Sequence, residues 1–182
     1  MGTDHLKVVR FERRLRLRQR VEAAMRERGL GSLDRPIPLN TLIPLVETAS
    51  SEQDDDLQDI WAKMLVNAGD VASPFEVRRA FVSMLSEMTA FDVRNLAAIH
   101  ATDASTDAPT LIWTARLPDE ALPTRPGGYE ETKLRDDVEV SLGNLMRLGC
   151  IGFGGSFGGM PSPYFVRLTA LGRAFILACT SG

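Results

Sequence analysis

Along the first hundred residues apolar side chains recur every three or four positions, the period of an amphipathic helix. Phe11, Leu15, Leu17, Val21, Ala24 and Met25 give a rough stripe over residues 5–29, which Gly29 and Gly31 should end. Pro36 and Pro38 disfavour helix in the residues before them and make 34–38 a rigid connector. Leu39, Leu42, Ile43 and Val46 share one face of a short helix that Pro44 should bend or restart. The best-defined helix comes next. Leu57, Ile60, Trp61, Met64, Leu65 and Ala68 repeat at helical spacing, Ser50 or Ser51 stands where a cap is needed, and acidic residues fill the first turn, where the helix dipole favours negative charge. Ser73-Pro74-Phe75-Glu76 has the serine, proline and glutamate of another start, ahead of an apolar face through Ala80, Phe81, Met84, Leu85 and Met88. Thr89, with Asp92 three residues on, opens a helix carrying Val93, Leu96, Ala97 and Ile99.

The pattern then changes. Residues 101–109 read as polar linker, Leu111 to Thr114 as a short strand, and 117–128 as a proline- and glycine-rich stretch, so 101–130 is expected to be a flexible loop with one strand in it. Leu134, Val138, Leu142, Leu145, Met146 and Leu148 form a further helix face ended by Gly149. Cys150 to Phe153 and Tyr164 to Leu168 are strand-like runs joined by a glycine-rich loop, and Thr169 caps a last helix with Leu171, Phe175 and Ala178. Helix, strand, helix, strand, turn, strand and helix is the order of a winged helix-turn-helix. The expected fold is mainly α: an arginine-rich helix and connector at 1–35, a helical domain at 36–88, and a winged-helix-like region with a small β-hairpin at 89–182. Its core should include Leu57, Trp61, Leu65, Leu145, Leu148 and Phe175.

Charge adds a second layer. The whole chain carries a formal net charge of −3, which gives no global reason to bind nucleic acid or anionic lipid. Locally the picture differs. Arg10, Arg13, Arg14, Arg16, Arg18, Arg20, Arg26 and Arg28 crowd the first helix, and Glu52, Asp54, Asp55, Asp56 and Asp59 crowd the start of the Trp61 helix. Such patches are solvated helix faces, or pair with each other, or form an interaction surface. The surface expected here comprises Arg10, Arg13, Arg14 and Arg18 with Asp54, Asp55, Asp56 and Asp59. There are two cysteines, Cys150 and Cys179, in apolar stretches, and no secretory signal, so reduced buried thiols in a cytoplasmic protein are expected.

Catalytic chemistry is hard to assemble. His5 and His100 are the only histidines, and neither has a ligand or base partner at motif spacing. Asp54-Asp55-Asp56 lacks the spacing and glycine of a calcium loop. Gly152 to Gly159 is followed by no lysine and fits neither phosphate-binding glycine fingerprint, so a hairpin tip is the better reading. No Gly-x-Ser-x-Gly elbow occurs. No cofactor, metal or small-molecule substrate is expected. The helix that a winged-helix protein would place in DNA carries Glu131, Asp136, Asp137 and Glu139 against Lys133, Arg135 and Arg147, and the wing, 152–163, has no cation. Groove binding by that element is disfavoured, which leaves the arginine-rich helix as the candidate for nucleic acid or for an anionic membrane surface.

Ile37-Pro38-Leu39-Asn40-Thr41-Leu42-Ile43-Pro44-Leu45-Val46-Glu47 resembles the Abi-alpha (abortive-infection alpha) family of bacterial proteins. The likeness continues through 54–68, with the acidic-Trp-Ala-x-x-Leu stretch at Asp59 to Leu65, and through 81–92, 145–151 and 168–175, leaving 101–130 unmatched. The resemblance implies defence against phage by halting or killing the infected cell, and it brings no catalytic residues to transfer. Members often carry further sequence before the point corresponding to Arg10, so a short form or a missing N-terminal effector segment is implied. The resulting expectation is a bacterial anti-phage protein acting through a protein partner or homo-oligomer. The alternative is a winged-helix nucleic-acid-binding regulator that uses the basic N-terminal helix.

Overall fold

A computed structural model describes residues 2–106, 111–124, 133–154, 156–157 and 160–180. The side chains of residues 2–10, 156–157 and 160–161 lie outside the described set. Arg10 and His5 of the sequence reading, Glu131, and parts of the expected flexible loop and glycine-rich wing therefore fall outside the described residues. The chain divides into two compact units, Met1–Glu87 with Leu177–Gly182, and Met88–Ile176.

The first unit is helical. α1 (Gly2–Glu27) is followed by α2 (Leu39–Ser51), α3 (Asp55–Gly69) and α4 (Arg79–Ser86). Leu17, Val21 and Ala24 form the buried stripe of α1, and α3 supplies Leu57, Trp61, Ala62, Met64 and Val66. Arg20 reaches Asp55 and Asp59 while Arg28 reaches Asn67 and Asp70, so α1 and α3 run side by side in the same direction. α2 runs unbroken through Pro44 from a start at Leu39. The cap of α3 is Asp54, whose carboxylate accepts from Leu57 N at 3.0 Å, and not Ser50 or Ser51, which close α2. The Glu52 carboxylate takes the Gln53 and Asp54 amides at 2.7 and 3.0 Å. The acidic run thus supplies the cap itself, because a carboxylate at this end gains from both the orphan amides and the dipole.

Helix α4 begins at Arg79, not at the Ser73-Pro74 signal. Arg35 explains the difference: its guanidinium donates to the carbonyls of Val71, Ser73 and Phe75 at 3.2, 2.6 and 3.3 Å, drawing them out of the pattern a helix needs. A tertiary bond set overrides a good local start.

The second unit holds α5 (Ala90–Ala104), β1 (Ile112–Trp113), β2 (Leu122–Pro123), α6 (Asp136–Arg147), β3 (Ile151–Phe153), β4 (Ser156–Phe157), β5 (Met160–Pro161), β6 (Phe165–Leu168) and the greater part of α7 (Ala170–Cys179). The Thr89–Asp92 capping box forms as its spacing predicts, with Asp92 N donating to Thr89 Oγ1 and Thr89 N to Asp92 Oδ2. α5 continues to Ala104, through residues read as linker, and β2 is a strand the sequence reading lacked. The antiparallel sheet has the order β2-β1-β6-β3, and β4 pairs with β5 separately. Leu96, Ile99, Ile112, Val138, Leu142, Leu145, Val166 and Phe175 fill the core of this unit. Gly149, at φ 74°, closes α6 with the paired Schellman bonds Cys150 N to Leu145 O and Gly149 N to Met146 O. Of the expected core residues, Leu57, Trp61, Leu145 and Phe175 are buried, but Leu65 and Leu148 are only half-buried, since each lies at the edge of its helix's inward face. The protein is mostly helical, with a small antiparallel four-stranded sheet in its C-terminal part.

Candidate interaction surface

The acidic start of α3 is partly answered within the chain. Arg20 donates to the carboxylates of Asp55, at 2.6 Å, and Asp59, and also to the Asp55 carbonyl at 3.2 Å. Asp54 is occupied as the α3 cap. Asp56 is exposed on the same turn. Arg20, absent from the surface read off the sequence, is therefore the residue that joins the two charged patches. Partly exposed pairs of this kind contribute at most about 1 kcal/mol, so their role is to set the neighbourhood more than to hold the fold.

Ahead of Arg20 the first helix is differently placed. Residues 11–19 add about 13 Å of helix ahead of Arg20, given the rise per residue, with Leu17 still buried. Arg14 and Arg16 are exposed and Arg13 half-exposed, and among the described residues none of the three makes an ion pair. Arg18 pairs with Glu22 one turn on at 2.7 Å, both well exposed. Phe11 is 69% exposed and Leu15 45%, four residues apart on the side of α1 turned away from Leu17 and Val21. Lone exposed apolar residues are ordinary, but Phe11 and Leu15 on adjacent turns, with Arg14 and Arg18 beside them at helical spacing, make a mixed apolar and cationic face, while Arg13 and Arg16 fall on other sides of the helix.

Two arginines that look equally available in the sequence are structural. Arg28 continues the spacing of Leu17, Val21 and Ala24, so it falls on the inward stripe, and its guanidinium meets Asn67 Oδ1 and Asp70 Oδ2, each at 2.6 Å. That spacing was the available signal. Arg35 is spent on carbonyls as described.

Cys150 and Cys179 are buried and form no disulfide, and burial pushes the Cys150 thiol up to about 12, far from a nucleophilic thiolate. Among the described residues no three of His, Cys, Asp and Glu gather as a metal site. No helix among them is long and apolar enough to cross a membrane. His100, on α5, lies near Arg173 and Asp103, which are joined at 2.5 Å. Its pKa is held below 6.5, first by burial and then by the Arg173 charge, against the pull of Asp103. The unfolded chain thus takes up this proton more readily, so the stability linked to His100 is present above pH 6.5 and is lost as pH falls through and below that value. Replacing His100 by Gln should flatten the acid limb of a plot of melting temperature against pH; an unchanged limb would remove the assignment.

The comparisons agree with the sequence pattern. The family model described as abortive infection alpha matches residues 10–179 of the chain. No curated protein and no solved structure matches it. The match spans both compact units, from the arginine-rich helix to the end of α7, and the chain belongs to the abortive infection alpha family.

Proposed function

We propose that this chain is a cytoplasmic bacterial defence protein that acts in abortive infection through protein or self-association, and that the first half of α1 is its contact surface. The family supports the defence role. One observation carries the choice of surface: Arg20 answers Asp55 and Asp59 from within the chain, while Arg14, beside exposed Phe11 and Leu15, and Arg13 and Arg16, on other sides of the same turns, have no ion partner among the described residues. A cationic face of this kind favours a partner of opposite charge and raises the rate of encounter with it. The acidic start of α3, with Asp54, Asp55, Asp56 and Asp59, borders that surface through Arg20.

In this reading the second unit is a winged-helix-like frame used for protein contact. The neighbouring order of β1, β6 and β3 supports it, with α6 leading into the β3–β6 pair. Nucleic-acid binding gains little from that frame, because Asp136, Asp137 and Glu139 open α6 and Arg147 is turned to Asn144.

Sedimentation velocity tests the association. The wild-type chain should form larger species at low salt that dissociate as salt rises, and reversing Arg13, Arg14 and Arg16 to Glu should abolish them at any salt. Association of the reversed variant equal to that of wild type would overturn the assignment of the surface.

A further inference from the structure

The inference rests on the association reading above and narrows the mate of α1. Whatever covers the first half of α1 has to present negative charge to Arg14 and Arg18 and an apolar or recessed surface to Phe11 and Leu15. A second α1 does not qualify, since it would set like charges opposite each other. The start of α3 qualifies poorly. Arg20 holds two of its carboxylates, Asp54 is the cap, and α3 exposes no large apolar side chain among the described residues.

The outer face of α6 meets both demands. Val138, Leu142 and Leu145 point into the core, which leaves Asp136, Glu139, Val140 and Gly143 outward on successive turns. Val140 is 74% exposed. A Cβ at Gly143 would meet nothing within 4 Å, so the helix surface beside Val140 is open and flat. Glu139 makes no ion pair among the described residues, and Asp136 has only Lys133 at 3.9 Å, with both side chains about nine-tenths exposed. Asp137 is different, because Arg135 already holds it at 2.5 Å. The Arg18–Glu22 pair on α1 is also exposed, though less fully, and exchanges at little cost.

We propose that a second copy of this chain supplies the mate: the first half of α1 from one copy docks on the outer face of α6 from another. Phe11 and Leu15 cover Val140 and the flat surface at Gly143, while Arg14 and Arg18 turn to Glu139 and Asp136. The two patches are different surfaces of one chain, so the contact is heterologous. It closes as a reciprocal pair or continues as a chain of copies.

Two full-length variants test this, each first checked to melt as wild type does: Arg14→Glu/Arg18→Glu, and Asp136→Arg/Glu139→Arg. Each alone should lose at least about tenfold in self-association by sedimentation, and a mixture of the two should regain it, because the mixture restores the wild-type pair of faces and adds a charge-swapped pair. If the α1 variant fails to associate while the α6 variant associates as wild type does, α1 remains the contact surface and α6 is overturned as its mate. If wild type stays monomeric and instead binds vesicles rich in phosphatidylserine, or a DNA duplex, through Arg14 and Arg18, the second copy is overturned as partner. Wild type that is monomeric and binds neither removes the inference and the self-association half of the reading it rests on, leaving a different protein as the partner.

Discussion

Gly172→Ala should cost about 3 kcal/mol and lower the melting temperature by about 10 °C, a large loss for one methyl group. A Cβ at this position of α7 would stand 2.0 Å from the Cys150 carbonyl oxygen, 2.7 Å from its carbon and 2.9 Å from its Cα. All three are backbone atoms, so no side chain can rotate away and either α7 or β3 has to move. The same corner is tied by Thr169, whose amide donates to the Cys150 carbonyl and whose hydroxyl lies 2.6 Å from the Gly149 carbonyl while accepting the Gly172 amide at 2.9 Å. Moving α7 outward would strain each of these bonds. Gly143→Ala is the control: it lies in a helix with open space around it, and should be neutral or stabilising by up to about 1 kcal/mol. Thermal unfolding followed by circular dichroism separates the two, and a Gly172→Ala protein that melts within a degree or two of wild type would refute the close approach of α7 to β3.

Arg28→Ala should be as costly or more so, about 3 to 5 kcal/mol, because it strands a buried carboxylate. Asp70 is 4% exposed and its partner Arg28 is 15% exposed. Removal of the guanidinium leaves Asp70 with the Ala72 amide at 2.8 Å and no opposite charge. It also releases Asn67, which accepts from Arg28 and donates to the carbonyls of Ala178 and Thr180 at 3.0 and 2.8 Å, holding the C-terminal residues of the first unit to α3. Arg28→Lys should fall between wild type and Ala, since an ammonium keeps the charge but cannot serve Asn67 and Asp70 together as a fork does. Denaturant titration measures the series. A loss below about 1 kcal/mol for Arg28→Ala would mean that water reaches the pair.

The elements were legible where a local signal and burial agreed. Trp61 sits at 0% exposure in the helix its spacing predicted, Thr89 and Asp92 form their capping box, and Gly149 ends α6 at positive φ. Local signals failed where a distant side chain competed for the same groups. Ser73-Pro74 should start a helix on local chemistry alone, yet Arg35, almost forty residues away, takes the carbonyls there. β2 is not legible in the sequence, because a two-residue strand containing a proline has no periodicity to read, and its partner β1 defines it. The charged surface was half legible. Arginine crowding in α1 can be read from the sequence, but which arginines are free for a partner depends on the phase of α1 against α3. That phase spends Arg20 on Asp55 and Asp59 and Arg28 on Asp70, and leaves Arg13, Arg14 and Arg16 outside.

The measurement that bears most directly on the central claim is a phage challenge of bacteria expressing either the wild-type chain or Arg13→Glu/Arg14→Glu/Arg16→Glu, the latter first shown to melt as wild type does. Arg14 and Arg16 are exposed and Arg13 is half-exposed, so with an unchanged melting temperature the variant differs in its contact surface and not in its fold. Wild type is expected to cut plaque formation relative to an empty vector, with infected cells ceasing to grow, while the reversed variant plates phage as the empty vector does. Equal protection by the two proteins would contradict the account.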